Sequence, residues 1–301
     1  MRYLHLTILS SLVVALALLG VGCGGGPTGA GPGGETDKGG ETPKTGELKP
    51  VVAEGRGTLK GTVVVAGLTP EILEKAKAAH KKALEEAKQD KEHCLQNDPG
   101  QQTWVVGAGD GLANVFVWVA PPDGHYFNLD EKDRDVKALG IEEVSIDQPH
   151  CAFIPRAVVL FPSYYDPQTK KQVPTGQKFT VKNSGTLNHN TNWQSAPPNR
   201  GDNKTVPPNS NLPIPAFRPA PREITFACNI HPWMRAYARV YDHPFATVTD
   251  KDGKFEIKNV PAGAELRLMY WHESMKEPKE LKKITLTKDE TLEEKITITA
   301  Q

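Results

Sequence analysis

The chain lacks an excess of charge of either sign: 36 Lys and Arg stand against 36 Asp and Glu over 301 residues. With no basic run either, nothing supplies the electrostatic footprint of a nucleic-acid binder, and nucleic acid is not expected as a partner. Long apolar runs are absent after residue 22, so no later segment approaches the ~18 consecutive apolar residues of a membrane-spanning helix. No Ser-His-Asp set and no paired carboxylates stand out, which argues against hydrolytic chemistry. Cysteine is scarce as well, with four in the chain, at Cys23, Cys94, Cys151 and Cys228.

What is present begins with the leader. Arg2 gives a short positive region, Leu6 to Val21 is an apolar stretch of signal-peptide length, and Leu19-Gly20-Val21-Gly22-Cys23 closes it. Small residues before a cysteine resemble the lipobox of bacterial lipoproteins, which implies removal of residues 1–22 and a lipid on Cys23. The expected location is the periplasmic or cell-surface side of a bacterial membrane, reached through that lipid. An ordinary signal peptide or an uncleaved anchor would also place the remainder outside. Residues 23–55 are largely Gly, Pro, Thr, Lys and Glu, too poor in large apolar side chains to bury a core, and read as a flexible spacer.

The chemistry concentrates between Arg222 and Val240, REITFACNIHPWMRAYARV, around Cys228-x-x-His231-x-x-Met234. The alternation in Glu223 to Ala227 predicts a strand that delivers Cys228 at its end, with Asn229 to Met234 as a short loop. A thiolate, an imidazole and a thioether so close together favour copper, because soft sulfur donors select it. A blue-copper centre needs a second imidazole, and His189, following a predicted strand over Phe179 to Lys182 and a turn at Asn183-Ser184-Gly185, is the candidate. Zinc, or a site that has lost its metal, are the alternatives.

These residues resemble the cupredoxins, the small blue-copper proteins of the plastocyanin and amicyanin type, through Asn183, His189-Asn190 and Cys228-Asn229-Ile230-His231-Pro232-Trp233-Met234. The short loop with Pro after the second His is most similar to amicyanin. The resemblance implies a Greek-key β-sandwich and one type 1 copper held by His189, Cys228, His231 and Met234. It also implies that the Asn190 side chain ties the two ligand loops together, and that electrons pass at the edge of His231 beside Pro232 and Trp233. The family usually has Gly soon after Met, where this chain has Arg235-Ala236-Tyr237.

The fold class expected is all-β: a cupredoxin-like sandwich over 56–242 with a helical insertion about 70–93, then a small transthyretin-like sandwich over 243–301. Thr69-Pro70-Glu71 opens the helix with a capping hydroxyl, a proline at the first turn and a favourable charge. Thr58 to Val65, Thr103 to Val106 and Asn114 to Val119 read as strands. Ala196 to Pro221, holding eight prolines, reads as a long loop or edge covering near the metal. His93-Cys94 and His150-Cys151 could form a Cys2His2 metal site, but in an exported chain a Cys94–Cys151 disulfide is favoured. Thr247-Val248-Thr249 and Lys254 to Ile257 read as a hairpin about Asp250 to Gly253. The run from His243 to Leu268 resembles a carboxypeptidase regulatory-like β-domain, which implies no peptidase activity.

The expected function is one-electron transfer at a type 1 copper, with a c-type cytochrome or a dehydrogenase as redox partner. A copper carrier without redox turnover and a structural lipoprotein with a degenerate cupredoxin are the alternatives. An enzyme is not expected, because four protein donors leave no open position for substrate.

Overall fold

A computed structural model describes residues 47–96 and 98–300 of the chain. Cys23, the leader and the spacer up to residue 46 lie outside the described residues. Among those described, no helix is long and apolar enough to cross a membrane. The fold is all-β, with strands gathered into two sandwiches.

The first sandwich carries the predicted ligands. One sheet has the order Ser210–Ile214, Lys178–Asn183, Glu143–His150, Ala152–Ile154. The facing sheet runs Asp202–Val206, His189–Gln194, Ile224–Ala227, Arg235–Val240, Ala157–Leu160. Alternation drives the packing: Phe179 and Val181 from the first sheet, and Ile224, Phe226, Ala236 and Ala238 from the second, point into one buried core. The eight-proline segment is therefore not one loop. It supplies Asp202–Val206 and Ser210–Ile214 as the edge strands of both sheets, where proline is tolerated because an edge leaves one row of N–H groups unpaired.

The second sandwich corrects the boundary drawn between 242 and 243. Its sheets are Ala246–Val248, Phe116–Ala120, Leu266–Trp271, Lys279–Ile284, and Lys254–Ala262, Gly55–Ala66, Thr291–Thr299. The strands expected in the ligand-bearing unit at 58–65 and 114–119 thus belong here. Gly55–Ala66 lies centrally, antiparallel to Lys254–Ala262 and parallel to Thr291–Thr299. Leu59, Val63, Val117, Val119, Leu268 and Ile296 bury their side chains together, so this unit closes only when chain from both ends is brought in. Lys49–Val51 already pairs with His125–Phe127, so order starts before residue 56. The strands on either side of Asp250 to Gly253 sit in facing sheets, making that turn a corner between sheets rather than a hairpin.

The segment from Thr103 to Val106 forms no strand, only a bridge from Val106 to Leu112. The Gln101 side chain accepts from the Trp104 N–H and donates to the Trp104 carbonyl, each at 2.9 Å, which satisfies the backbone without a ladder.

The helical insertion consists of α1 (Pro70–Glu85), capped by the Thr69 hydroxyl on Ile72 N–H at 3.3 Å, and the short α2 (Lys91–Gln96). Ile72, Leu73 and Ala76 of α1 pack on the second core, whereas Leu84 and Cys94 are buried in the first. Where the sandwiches meet, Arg156 and Glu273 form a double contact at 2.5 and 2.7 Å, and Tyr237 donates to the same carboxylate at 3.2 Å.

Candidate metal centre

His189 opens the strand His189–Gln194 and is paired across the sheet with Val206. The turn before it is shaped by the Asn183 carboxamide, which donates to the carbonyls of Leu187 and Val206, both at 2.8 Å. Cys228 follows the strand Ile224–Ala227, and the loop to the next strand closes on itself. Within it, Met234 N–H donates to the His231 carbonyl at 2.9 Å and Cys228 N–H reaches the Met234 carbonyl at 3.4 Å. Met234 is buried in the same core as Cys228. Asn190, one residue past His189, accepts through Oδ1 from the Asn229 N–H at 2.8 Å and the Ile230 N–H at 3.3 Å, and donates to Asn203 Oδ1 at 2.7 Å. Its side chain therefore joins the strand of one histidine to the loop of the other.

Three donor atoms converge. Cys228 Sγ stands 3.9 Å from His189 Nδ1 and 3.8 Å from His231 Nδ1, and the two Nδ1 atoms are 3.0 Å apart. A triangle with these sides has its circumcentre about 2.1 Å from every donor, within the ~2.0–2.3 Å that imidazole and thiolate take on a first-row cation such as zinc. All three side chains are buried, so the geometry is held by packing. The donor set fits a metal ion, and a thiolate with two imidazoles is compatible with copper.

Burial sets the protonation. It lowers His189 to about 4, with His231 adding to the effect, so the ring is neutral at physiological pH and can offer a lone pair. Burial also lowers His231, against the opposing pull of Asp90. The Cys228 thiol is pushed up by burial, while backbone N–H groups around it act the other way, so a metal must displace its proton on entering.

The edge of His231 is not open as the family likeness implied. The ring is fully buried, and Asp90, between α1 and α2, places Oδ2 3.3 Å from Nε2, close enough for its charge to act on the ring but off the line of a hydrogen bond. Cys94 of α2 and Cys151 form a disulfide, whose sulfurs lie within 4.8 Å of a His231 ring nitrogen. As a disulfide these sulfurs offer no thiolate to a metal. The Cys151 carbonyl accepts from Trp233 Nε1 at 3.0 Å, and the Trp233 ring lies 5.3 Å from that of His231. Sequence reasoning missed Asp90. A carboxylate in the polar run Lys88 to His93 has no periodic or spacing signal that marks it.

No family model matches the chain, and no curated protein matches it. Among solved structures the chain is similar to a Cu-containing nitrite reductase from Thermus scotoductus SA-01 and to a purple cupredoxin from Nitrosopumilus maritimus. The first shares 15% identity over 33% of this chain at a TM-score of 0.26, and the chain spans 22% of its length. The second shares 13% identity over 33% of this chain and 99% of its own, at a TM-score of 0.24. The functional reading rests on the geometry of the site itself.

Proposed function

We propose that the chain is a type 1 copper electron-transfer protein, held on the periplasmic or cell-surface side of a bacterial membrane by a lipid on Cys23. The convergence of His189 Nδ1, His231 Nδ1 and Cys228 Sγ on one point about 2.1 Å from each is the observation that carries the reading. Met234 would offer the copper a weak thioether donor; its side chain is buried and its N–H is bonded to the His231 carbonyl within the closed loop. Copper would supply a one-electron couple between its cupric and cuprous forms. The protein's part is to hold the donors still. His189 is fixed by its sheet, His231 by a loop closed on Met234, and Cys228 by the strand end and by Asn190, so little moves when the charge at the centre changes. The partner is a redox protein such as a c-type cytochrome or a dehydrogenase.

The test is an absorption spectrum of the purified protein after addition of Cu(II), beside a Cys228→Ser control. An intense visible thiolate-to-copper band in the protein and none in the control supports the reading, and a colourless protein without stoichiometric copper rejects it. The burial of the His231 edge favours a second reading, a copper holder without redox turnover. Reversible cycling of the band with a reduced cytochrome c separates the two.

A further inference from the structure

We infer that Asp90 is a positioning residue for the metal centre. Its carboxylate fixes the His231 ring with Nδ1 toward Cys228 and His189, and its charge favours the more positive, oxidised metal. The inference rests on the copper reading for its redox half, while its tautomer half stands on the protein alone.

The His231 ring is fully buried, so the hydrogen-bonding capacity of Nε2 must be met inside the protein or left unmet at a cost. Asp90 Oδ2 stands 3.3 Å from it. Off the line of a hydrogen bond, the carboxylate acts through its charge: a lone pair on Nε2 beside that charge is repelled, whereas the N–H dipole there is attracted. The proton therefore belongs on Nε2 and the lone pair on Nδ1, the atom 3.8 Å from Cys228 Sγ and 3.0 Å from His189 Nδ1. A carboxylate behind a ligating imidazole fixes its tautomer and raises its basicity.

Asp90 is also held where it is. Its backbone takes φ +56°, a left-handed conformation that costs most residues energy and that Asp tolerates better. Its carbonyl accepts the Cys94 N–H at 2.9 Å, Cys94 is joined to Cys151, and the Cys151 carbonyl holds the Trp233 indole against His231. A closed path of bonds thus runs from Asp90 through α2 and the disulfide back to the ligand.

An electron-rich imidazole and a nearby negative charge benefit a cupric ion more than a cuprous one. The Asp90 side chain is 31% exposed, so water screens part of its charge and places the effect at the low end of what such partners give, about tenfold in metal affinity.

The experiment compares the full-length chain with its Asp90→Asn variant. Cu(II) affinity is read by competition with a chelator of known strength, the reduction potential by spectroelectrochemical titration, and the His231 tautomer by ring nitrogen-15 shifts in the metal-free protein. Asp90→Asn is expected to weaken Cu(II) binding about tenfold, to weaken Cu(I) binding less and so raise the potential, and to move ring protons from Nε2 toward Nδ1. Unchanged affinity and potential in a copper-loaded variant overturn the inference. If the wild-type chain binds no copper, the copper reading fails and the tautomer measurement judges the positioning role separately. Should Asp90→Asn fail to fold, the wild-type nitrogen shifts still decide, since a His231 protonated on Nδ1 and bare on Nε2 overturns it.

Discussion

His189 and His231 turn their Nδ1 atoms toward one another at 3.0 Å inside a fully buried pocket. Two bare lone pairs cannot rest at that distance, so a proton or a cation must lie between the rings. Without metal, one neutral ring can donate to the other. A metal ion bound by both, and by Cys228, ties two strands and a loop together, and whatever binds the folded state alone stabilises it by mass action. Cu(II) at a thousand times its dissociation constant is expected to add about 4 kcal/mol, or roughly 10 °C in melting temperature for a chain of this size. Thermal unfolding of the wild type and of His189→Ala, each with and without Cu(II), is the check. An equal rise in the variant would locate the metal elsewhere.

Asn190 is the second point of leverage. Its Oδ1 receives two backbone N–H groups of the ligand loop and lies 3.3 Å from Cys228 Sγ, while its Nδ2 is anchored on Asn203. Asn190→Ala leaves those N–H groups without their acceptor and frees the loop from the strand of His189. A loss of about 2 to 4 kcal/mol is expected from urea unfolding of the metal-free protein. The thiolate-to-copper band should also shift in position or intensity, because the orientation of the sulfur is no longer held. A variant with unchanged stability would show that Met234 and the sheet hold the loop by themselves.

The ligand loop was legible in the sequence because its chemistry is local: Cys228, His231 and Met234 are spaced to share one turn, and the strand before them alternates cleanly. The capping of α1 by Thr69 and Pro70 was legible for the same reason. Strand partnership was not. The pattern in Gly55–Ala66 says which residues face a core, and nothing in a period of two says whether that core is built with Thr291–Thr299, more than two hundred residues away. Asp90 escaped notice because its role comes from the path that α2 takes over His231, which the disulfide and Leu84 fix through tertiary packing.

Two buried histidines away from the donor set give the protein an acid limit. His243 packs among Phe127, Tyr241 and Phe245, and His272 against Trp104; burial lowers each to about 4. An unfolded histidine takes its proton near 6.5, so between these values the unfolded chain binds more protons than the folded one. Stability is therefore lost as pH falls from about 6.5 to about 4, by about 3 kcal/mol for each residue. Unfolding free energies from urea titrations at several pH values test this, with His243→Phe as the comparison. The variant should lose part of the slope whatever its offset at neutral pH, and parallel curves would rule out His243 as a contributor.

The strand Gly55–Ala66 makes the second sandwich depend on chain far from it in sequence. It is hydrogen-bonded to Lys254–Ala262 on one side and to Thr291–Thr299 on the other, so without it the two C-terminal strands are not neighbours. Gly61 sits where the sheet is tightest, since a Cβ there would run into the Glu294 carbonyl oxygen and stand 2.8 Å from the Phe255 ring. Backbone cannot yield as a flexible side chain can, so Gly61→Val should cost about 3 kcal/mol. Hydrogen exchange should show amides of Gly55–Ala66 and Thr291–Thr299 losing protection together, while those of Ile224–Ala227 in the ligand-bearing sandwich keep theirs. By the same reasoning a fragment beginning at His243 should remain unfolded, its Phe255, Ile257, Ile296 and Ile298 deprived of Leu59 and Val63. A folded fragment with dispersed amide resonances would mean that the C-terminal strands can pair without the central one.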